Sequence, residues 1–403
     1  MKRRDFVRLT LSGAAALPFG GCETSAKPDP PPVEQGNSLF RVNQIPADAI
    51  TSGNRHLGVD TLLKLMGQNG LKFYRTSVSG TENGANGLIA ADDVVVIKVN
   101  AQWKYRGCTN SDLVRGLIQR VLEHPQGFQG EVVIVENGQG NGSLACDTSY
   151  NGNIEVHANA QDESHSFLWL VNSLFRDSRV SAFLLDSVRG NFIGAGDHQT
   201  NGYRTYENVS YPCFTTAGGR RVELREGIWN GASYGTNLKL INVPVLKDHG
   251  GSEITGALKH MYGLVSMLDG QKSFRHYDGL GETCGKMMVS VHTPVLNIMD
   301  AIWVSQGSLS GFPASATYRA DTIVASQDPV ALDYWTAKHI LYPIDNNDLH
   351  NPDFPGIDTW LTAARDVIVN RGGFAQKSQG ILVASPTKTE SEMVLHEAVT
   401  GML

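Results

Sequence analysis

The sequence predicts an α/β fold: a mostly parallel sheet flanked by helices, with a loop-rich insertion. Two observations carry that reading. Unbroken β-branched runs such as Val94-Val95-Val96-Ile97 have the pattern of strands buried on both faces. They alternate with segments whose apolar residues recur at helical spacing, the order produced when helices cross over between parallel strands. At 403 residues and 41% hydrophobic, the chain can bury a large core.

Taken in order, residues 93–100 are the first strand. Residues 109–123 follow as a helix, capped by Thr109 or Asn110, with Leu113, Leu117, Ile118 and Val121 on one face. Residues 131–136 are a strand, 167–175 an apolar helix, and 180–186 a strand. Residues 238–245 are again strand-like, and 252–267 carry a helical pattern starting from a Ser252 cap. Two further strands cover 295–304 and 322–325. Asp328 as N-cap and Pro329 at the first turn open a last long helix, which gives Asp328 a structural role. Two regions break the alternation. Residues 189–236, dense in Gly, Asn, Tyr and Thr, are expected to form an inserted lobe with short strands, and 269–286, containing Arg275, His276, Tyr277 and Asp278, a second long loop.

The N-terminus is expected to be an address and an anchor. Lys2-Arg3-Arg4-Asp5-Phe6 followed by a short apolar stretch is a twin-arginine signal pattern over residues 1–21, and Phe19-Gly20-Gly21-Cys22 is similar to a lipobox with Cys22 as the acylated residue. Residues 22–37, with Pro28, Pro30, Pro31 and Pro32, form a tether, and 38–403 a single domain. The expected location is the periplasm or cell exterior, with membrane contact through the lipid only. No apolar run approaches the roughly 20 residues that a bilayer span requires.

The net charge of −6 leaves no basic field for nucleic-acid binding. Cys108, Cys146, Cys213 and Cys284 have no Cys-x-x-Cys spacing, so no zinc knuckle or cysteine-ligated cluster is encoded. Disulfides and free buried thiols both stay open for these four.

In open α/β sheets ligands sit beyond the carboxyl ends of the strands. The polar residues ending the apolar runs are Lys98, Asn100, Glu136, Asn137, Asp186, Lys247, His249 and Asp300; any one alone is more often a cap, a turn residue or a solvated charge. Lys247-Asp248-His249-Gly250-Gly251-Ser252 is the most informative stretch. A lysine, a histidine and two glycines before a helix start would set an ammonium beside free backbone N–H groups, an anion site for carboxylate, sulfate or phosphate. On the helix that would follow, Thr255, Lys259 and Gly263 share one face, and Gly256 and His260 a neighbouring row. A metal site is the competing use of His249, His260, His276, His292, Asp186 and Asp300, but the interleaved lysines would repel a cation.

An ordered series of motifs resembles the domain of unknown function family 362. These are Ile97-Lys98-Val99-Asn100, Thr109-Asn110 with Leu113-Val114, Ile241 through His249, Thr255-Gly256-Ala257-Leu258-Lys259, Tyr262-Gly263-Leu264 and Asp328-Pro329-Val330-Ala331-Leu332-Asp333, spanning residues 92–340. The resemblance implies an α/β domain with signature positions Lys98, Asn100, Lys247, His249 and Lys259. Some relatives carry a fused ferredoxin-like segment, whose cysteines this chain lacks. The resemblance brings no reaction and no cofactor with it.

The expected function is that of an exported lipoprotein enzyme acting on an anionic small molecule or sugar derivative. Lys98 and Lys247 would clamp the anion, with His249 as general acid or base and Asn100, Gly250, Gly251, Ser252, Thr255 and Lys259 as ligand-binding positions. Two readings stand beside it: a non-catalytic ligand-binding lipoprotein, and a cofactor- or metal-dependent redox protein, since the twin-arginine route carries folded, often cofactor-loaded cargo.

Overall fold

The β-branched runs become the middle strands of one large sheet, as their uniform apolar character requires. The computed structural model describes residues 37–140, 143–147, 156–266, 279–373 and 385–403. The leader and Cys22, the tether up to residue 36, and Arg275 to Asp278 fall outside the described residues.

The sheet contains ten strands. They are β1 (Ser38–Asn43), β2 (Val94–Val99), β3 (Glu131–Glu136), β4 (Val180–Leu184), β5 (Leu238–Val243), β6 (Val245–His249), β7 (Glu253–Thr255), β8 (Leu296–Ser305), β9 (Thr317–Ser326) and β10 (Val394–Val399). The order across the sheet is β10-β1-β9-β8-β5-β2-β3-β4, with β6 pairing β8 and β7 pairing β6. The run from β8 through β5, β2 and β3 to β4 is parallel, whereas β9 lies antiparallel to both β8 and β1. Every residue of β2, β3 and β5 is buried, which is why these strands show no polar alternation. The fold is therefore α/β with a mostly parallel sheet.

Helix α1 (Leu57–Gln68) and helix α2 (Ser111–Leu122) pack against each other. Asn110, not Thr109, caps α2, accepting from the Leu113 N–H at 3.0 Å. Asp328 caps α5 (Pro329–Thr336), accepting from Val330 at 2.8 Å and Ala331 at 3.1 Å, the structural part expected of it. The segment 189–236 carries a separate five-stranded antiparallel sheet between Gly202 and Gly235. Cys108, Cys146, Cys213 and Cys284 are all free and buried.

Several expectations are corrected. The single strand 238–245 is split into β5 and β6 at Pro244, which has no N–H for the ladder. The helix expected over 252–267 does not start at Ser252, and of the described residues only 257–264 are helical, as a short α-helix continued by a 3-10 turn over Met261–Leu264. Ahead of them β7 folds back on β6, pairing Lys247 with Thr255, Asp248 with Ile254 and His249 with Glu253. Only then does a short helix α3 (Ala257–His260) begin. Glu253 sits at φ 62°, a left-handed conformation that no α-helix contains. The long loop expected over 269–286 gives way at its end to helix α4 (Leu280–Lys286). The helix at Pro329 is not the last, because α6 (Pro355–Asn370) follows and packs on α4. The apolar segment 167–175 is one turn of α-helix, Phe167–Trp169, continued as a π-turn over Leu170–Leu174.

Candidate functional site

A cleft of about 360 Å³ opens beyond the carboxyl ends of β2, β3 and β6. It is lined by Lys98, Asn100, Lys247, His249, Gly250, Gly251, Thr255 and Lys259, that is, by every sequence-predicted site residue in the described chain except Ser252. Ser252 is turned away. Its hydroxyl donates to the Ile254 carbonyl at 3.1 Å and its own carbonyl accepts from the Trp360 indole at 3.1 Å. The turn it belongs to is a hairpin, so there is no helix N-terminus at this position. The N-terminal amides of α3, at Ala257 and Leu258, are taken by the Asp333 carboxylate instead, the Leu258 bond being 2.9 Å. The helix-dipole part of the expected anion site is thereby withdrawn, and what remains is side-chain charge.

Lys98 and Glu136 form an ion pair at 2.5 Å, with both side chains almost fully buried. The Lys98 ammonium also donates to the Val99 carbonyl at 2.9 Å. Burial drives both groups toward their neutral forms: it pushes the Glu136 carboxyl up to about 7 and lowers Lys98, while their mutual attraction resists each shift. Gly263 makes room for this pair, since a Cβ there would lie 2.7 Å from the Lys98 Nζ. The small residue thus admits a charged side chain.

Lys247 is 3% exposed and donates to the Gly107 carbonyl at 2.6 Å and the Leu309 carbonyl at 3.0 Å. Burial brings its amine down to about 7, and the neighbouring Lys259 and Lys98 push in the same direction. Lys259, also buried, lies with its Nζ 4.9 Å from the centre of the Tyr262 ring, and burial lowers it to about 8.

Two histidines face the same space. His249 accepts a hydrogen bond at Nδ1 from the Gly251 N–H, 3.2 Å, which leaves the proton of a neutral ring on Nε2. His260 is arranged the opposite way. Asn242 gives its amide hydrogens to the Ala257 carbonyl and to Asn297, each at 2.9 Å, so its Oδ1 is an acceptor and His260 Nδ1, at 2.7 Å, is the donor. The His260 Nε2 is buried and makes no hydrogen bond of good geometry among the described residues, although the Val99 carbonyl lies near enough to the ring to favour its charged form. Burial, helped by Lys98 and Lys247, depresses its pKa well below the usual imidazole value and keeps it neutral.

Asn100 ties the strand ends together. Its Oδ1 accepts from the Val245 N–H at 2.9 Å, directly after the Pro244 break, which leaves its amide nitrogen as the group to offer a ligand. Asp186 accepts from the Gly138 and Gly140 amides, both at 2.6 Å, and so fixes the loop that brings Gln139 to the cleft. Asp300 lies inside β8 rather than at a strand end; buried and raised to about 7 by that burial, it accepts from Asn110 at 2.7 Å and from Ile302 at 3.1 Å. The proposed metal ligands are not gathered: among the described residues no group of three or more His, Cys, Asp or Glu is set to hold an ion.

Sequence reasoning placed Glu136 among the strand-end polar residues and His260 among candidate metal ligands but gave neither a part in the anion site, and it did not name Gln102, Trp103, Gln139, Tyr262 or Leu309 as lining residues. Glu136 ends a strand beside the one that Lys98 ends, so their pairing followed from the topology. Nothing in the sequence distinguishes Leu309, whose contribution is a carbonyl.

Residues 236–338 match the family model described as Domain of unknown function (DUF362). The match covers Lys247, His249, Thr255 and Lys259, while Lys98, Asn100 and Glu136 lie before it. No curated protein and no solved structure matches the chain.

Proposed function

We propose that the protein is an exported lipoprotein enzyme that acts on an anionic small molecule or an anion-bearing sugar derivative held in this cleft. The observation that carries the reading is a charge imbalance: Lys98, Lys247 and Lys259 line the cleft against Glu136, the one lining carboxylate among the described residues. Burying an ammonium costs several kcal/mol unless it is paired, so a chain that is acidic overall gains from gathering three amines only when a negative ligand offsets them. Turnover rather than storage is favoured by the protonation states. Lys247 and Glu136 at about 7 and Lys259 at about 8 change charge in the range where general acids and bases operate. In this reading Glu136 accepts a proton, His249 Nε2–H donates one, and Asn100, Gly250, Gly251 and Thr255 position the ligand. Export and anchoring rest on the twin arginines and Cys22, which would place the enzyme in the periplasm or at the cell exterior.

The test is native mass spectrometry of the full chain purified from its own host, followed by turnover assays against phosphate, sulfate and carboxylate esters of small molecules and sugars. A co-purified anion and a product that disappears in Lys247→Met are expected. Retention of an anion with no product from any ester would make the protein a binding lipoprotein, and absence of any bound or binding anion would overturn the reading.

A further inference from the structure

We propose that Lys247 is an amine nucleophile that forms an imine with the carbonyl of a keto acid, whose carboxylate rests against Lys259. This builds on the anion reading above and adds a reaction class and a substrate class to it.

The three cleft lysines differ in what holds them. Lys98 is committed to Glu136 at 2.5 Å. Lys259 lies over the Tyr262 ring, an arrangement that favours the charged form. Lys247 is held by two backbone carbonyls, Gly107 at 2.6 Å and Leu309 at 3.0 Å, and pairs with no carboxylate among the described residues. A neutral amine has two N–H bonds and one lone pair. Two carbonyl acceptors use both N–H bonds and fix rotation about the Cε–Nζ bond, so the remaining tetrahedral position on Nζ is the lone pair. The acceptors are themselves fixed: the Gly107 N–H donates to the Ser310 carbonyl at 2.9 Å, and a Cβ on Gly107 would sit 2.3 Å from the Leu309 oxygen. The chain thus presents a pre-oriented nucleophile on a cleft wall. Burial, opposed by Cys108 and Glu136 and helped by Lys259 and Lys98, brings its amine to about 7. About half is then neutral at pH 7, against on the order of one part in 2,500 for an ordinary lysine.

The chemistry balances without an oxidant or reductant. The Nζ lone pair forms a bond to the carbonyl carbon, the carbonyl π electrons move to oxygen, and that oxygen takes a proton. Nζ then gives up a proton, for which the Glu136 carboxylate, raised to about 7 by burial, is the acceptor in the same cleft. The hydroxyl leaves as water after receiving a second proton, and the product is the protonated imine, which draws electrons from the adjoining carbon. Lys259 would hold the carboxylate at the other end of such a substrate.

The experiment is reductive trapping on the full chain with pyruvate or acetoacetate and sodium borohydride, read by peptide mass mapping. The expected result is a single adduct on Lys247, heavier by the mass of the keto acid less one oxygen. It should form faster as pH rises through about 7, more slowly with acetone, and not at all in Lys247→Arg. An adduct on Lys259, or adducts scattered over surface lysines, would overturn the assignment. If nothing is trapped although calorimetry shows pyruvate binding, the imine step fails and the anion reading stands; if pyruvate, acetoacetate, phosphate and sulfate all fail to bind, both fail.

Discussion

Replacing Lys247 by Met tests whether this buried amine titrates as the structure requires. Folded Lys247 loses its proton at about 7, where the unfolded side chain holds it to 10.5. Between those values the unfolded chain binds more protons than the folded one, so this residue makes stability rise with pH, at about 1.4 kcal/mol per unit. From about pH 7.5 to about pH 9 that amounts to about 2 kcal/mol, which Lys247→Met cannot show. The variant also strands the Gly107 and Leu309 carbonyls, at about 1–3 kcal/mol each, and removes a buried charge. The carbonyl cost does not vary with pH and cancels in the comparison between the two pH values. Urea unfolding of both proteins across this range, followed by circular dichroism, gives the answer. Wild type should gain about 2 kcal/mol on the variant as pH rises. Parallel stability curves would refute the claim that Lys247 is a depressed, buried amine.

Three further outcomes are expected. Gly263→Ala would drive a methyl group to within 2.7 Å of the Lys98 Nζ, and should both destabilise the fold and abolish anion binding in a calorimetric titration, whereas the exposed Gly194→Ala, with nothing near its added Cβ, should do neither. Asp333→Ala removes the cap of α3 and should cost about 1–2 kcal/mol in denaturant unfolding, with the loss concentrated in faster amide exchange at Ala257 and Leu258. Cys22→Ser should move the protein from the membrane fraction to the soluble fraction of the same compartment, as read by fractionation and immunoblotting.

Much of this architecture was legible because burial on two faces leaves a plain mark. Val94 to Ile97 and Val132 to Val135 carry no polar alternation, and they are indeed central strands with every residue buried. The edge was less visible. β1 and β10 pair in parallel although more than 350 residues apart, and β10 has exposed Val394 and Leu395, so neither strand has a pattern that announces a partner. The main error, a helix from Ser252, came from weighing the spacing of Thr255, Lys259 and Gly263 over a local turn signal. Gly250-Gly251 between Val245-Leu246 and the β-branched Ile254-Thr255 is a hairpin pattern, and the hairpin prevails. The site was legible in part for a topological reason. Strand ends of a parallel sheet share an edge, so Lys98, Asn100 and Lys247 were bound to be neighbours if their strands were assigned correctly. His260 was harder to see, because its orientation depends on Asn242 holding its Nδ1, which is a fact of packing.

If the buried lysines of this cleft hold an anion, the affinity of the full chain for phosphate, sulfate and pyruvate as a function of pH, measured by calorimetry, shows it most directly. Affinity for at least one of them should fall as pH rises through about 7 and about 8, where Lys247 and Lys259 lose their charge, and should be weakened at every pH in Lys259→Met. Affinity that is independent of pH and unchanged in Lys259→Met, or no saturable binding of any of the three, would contradict it.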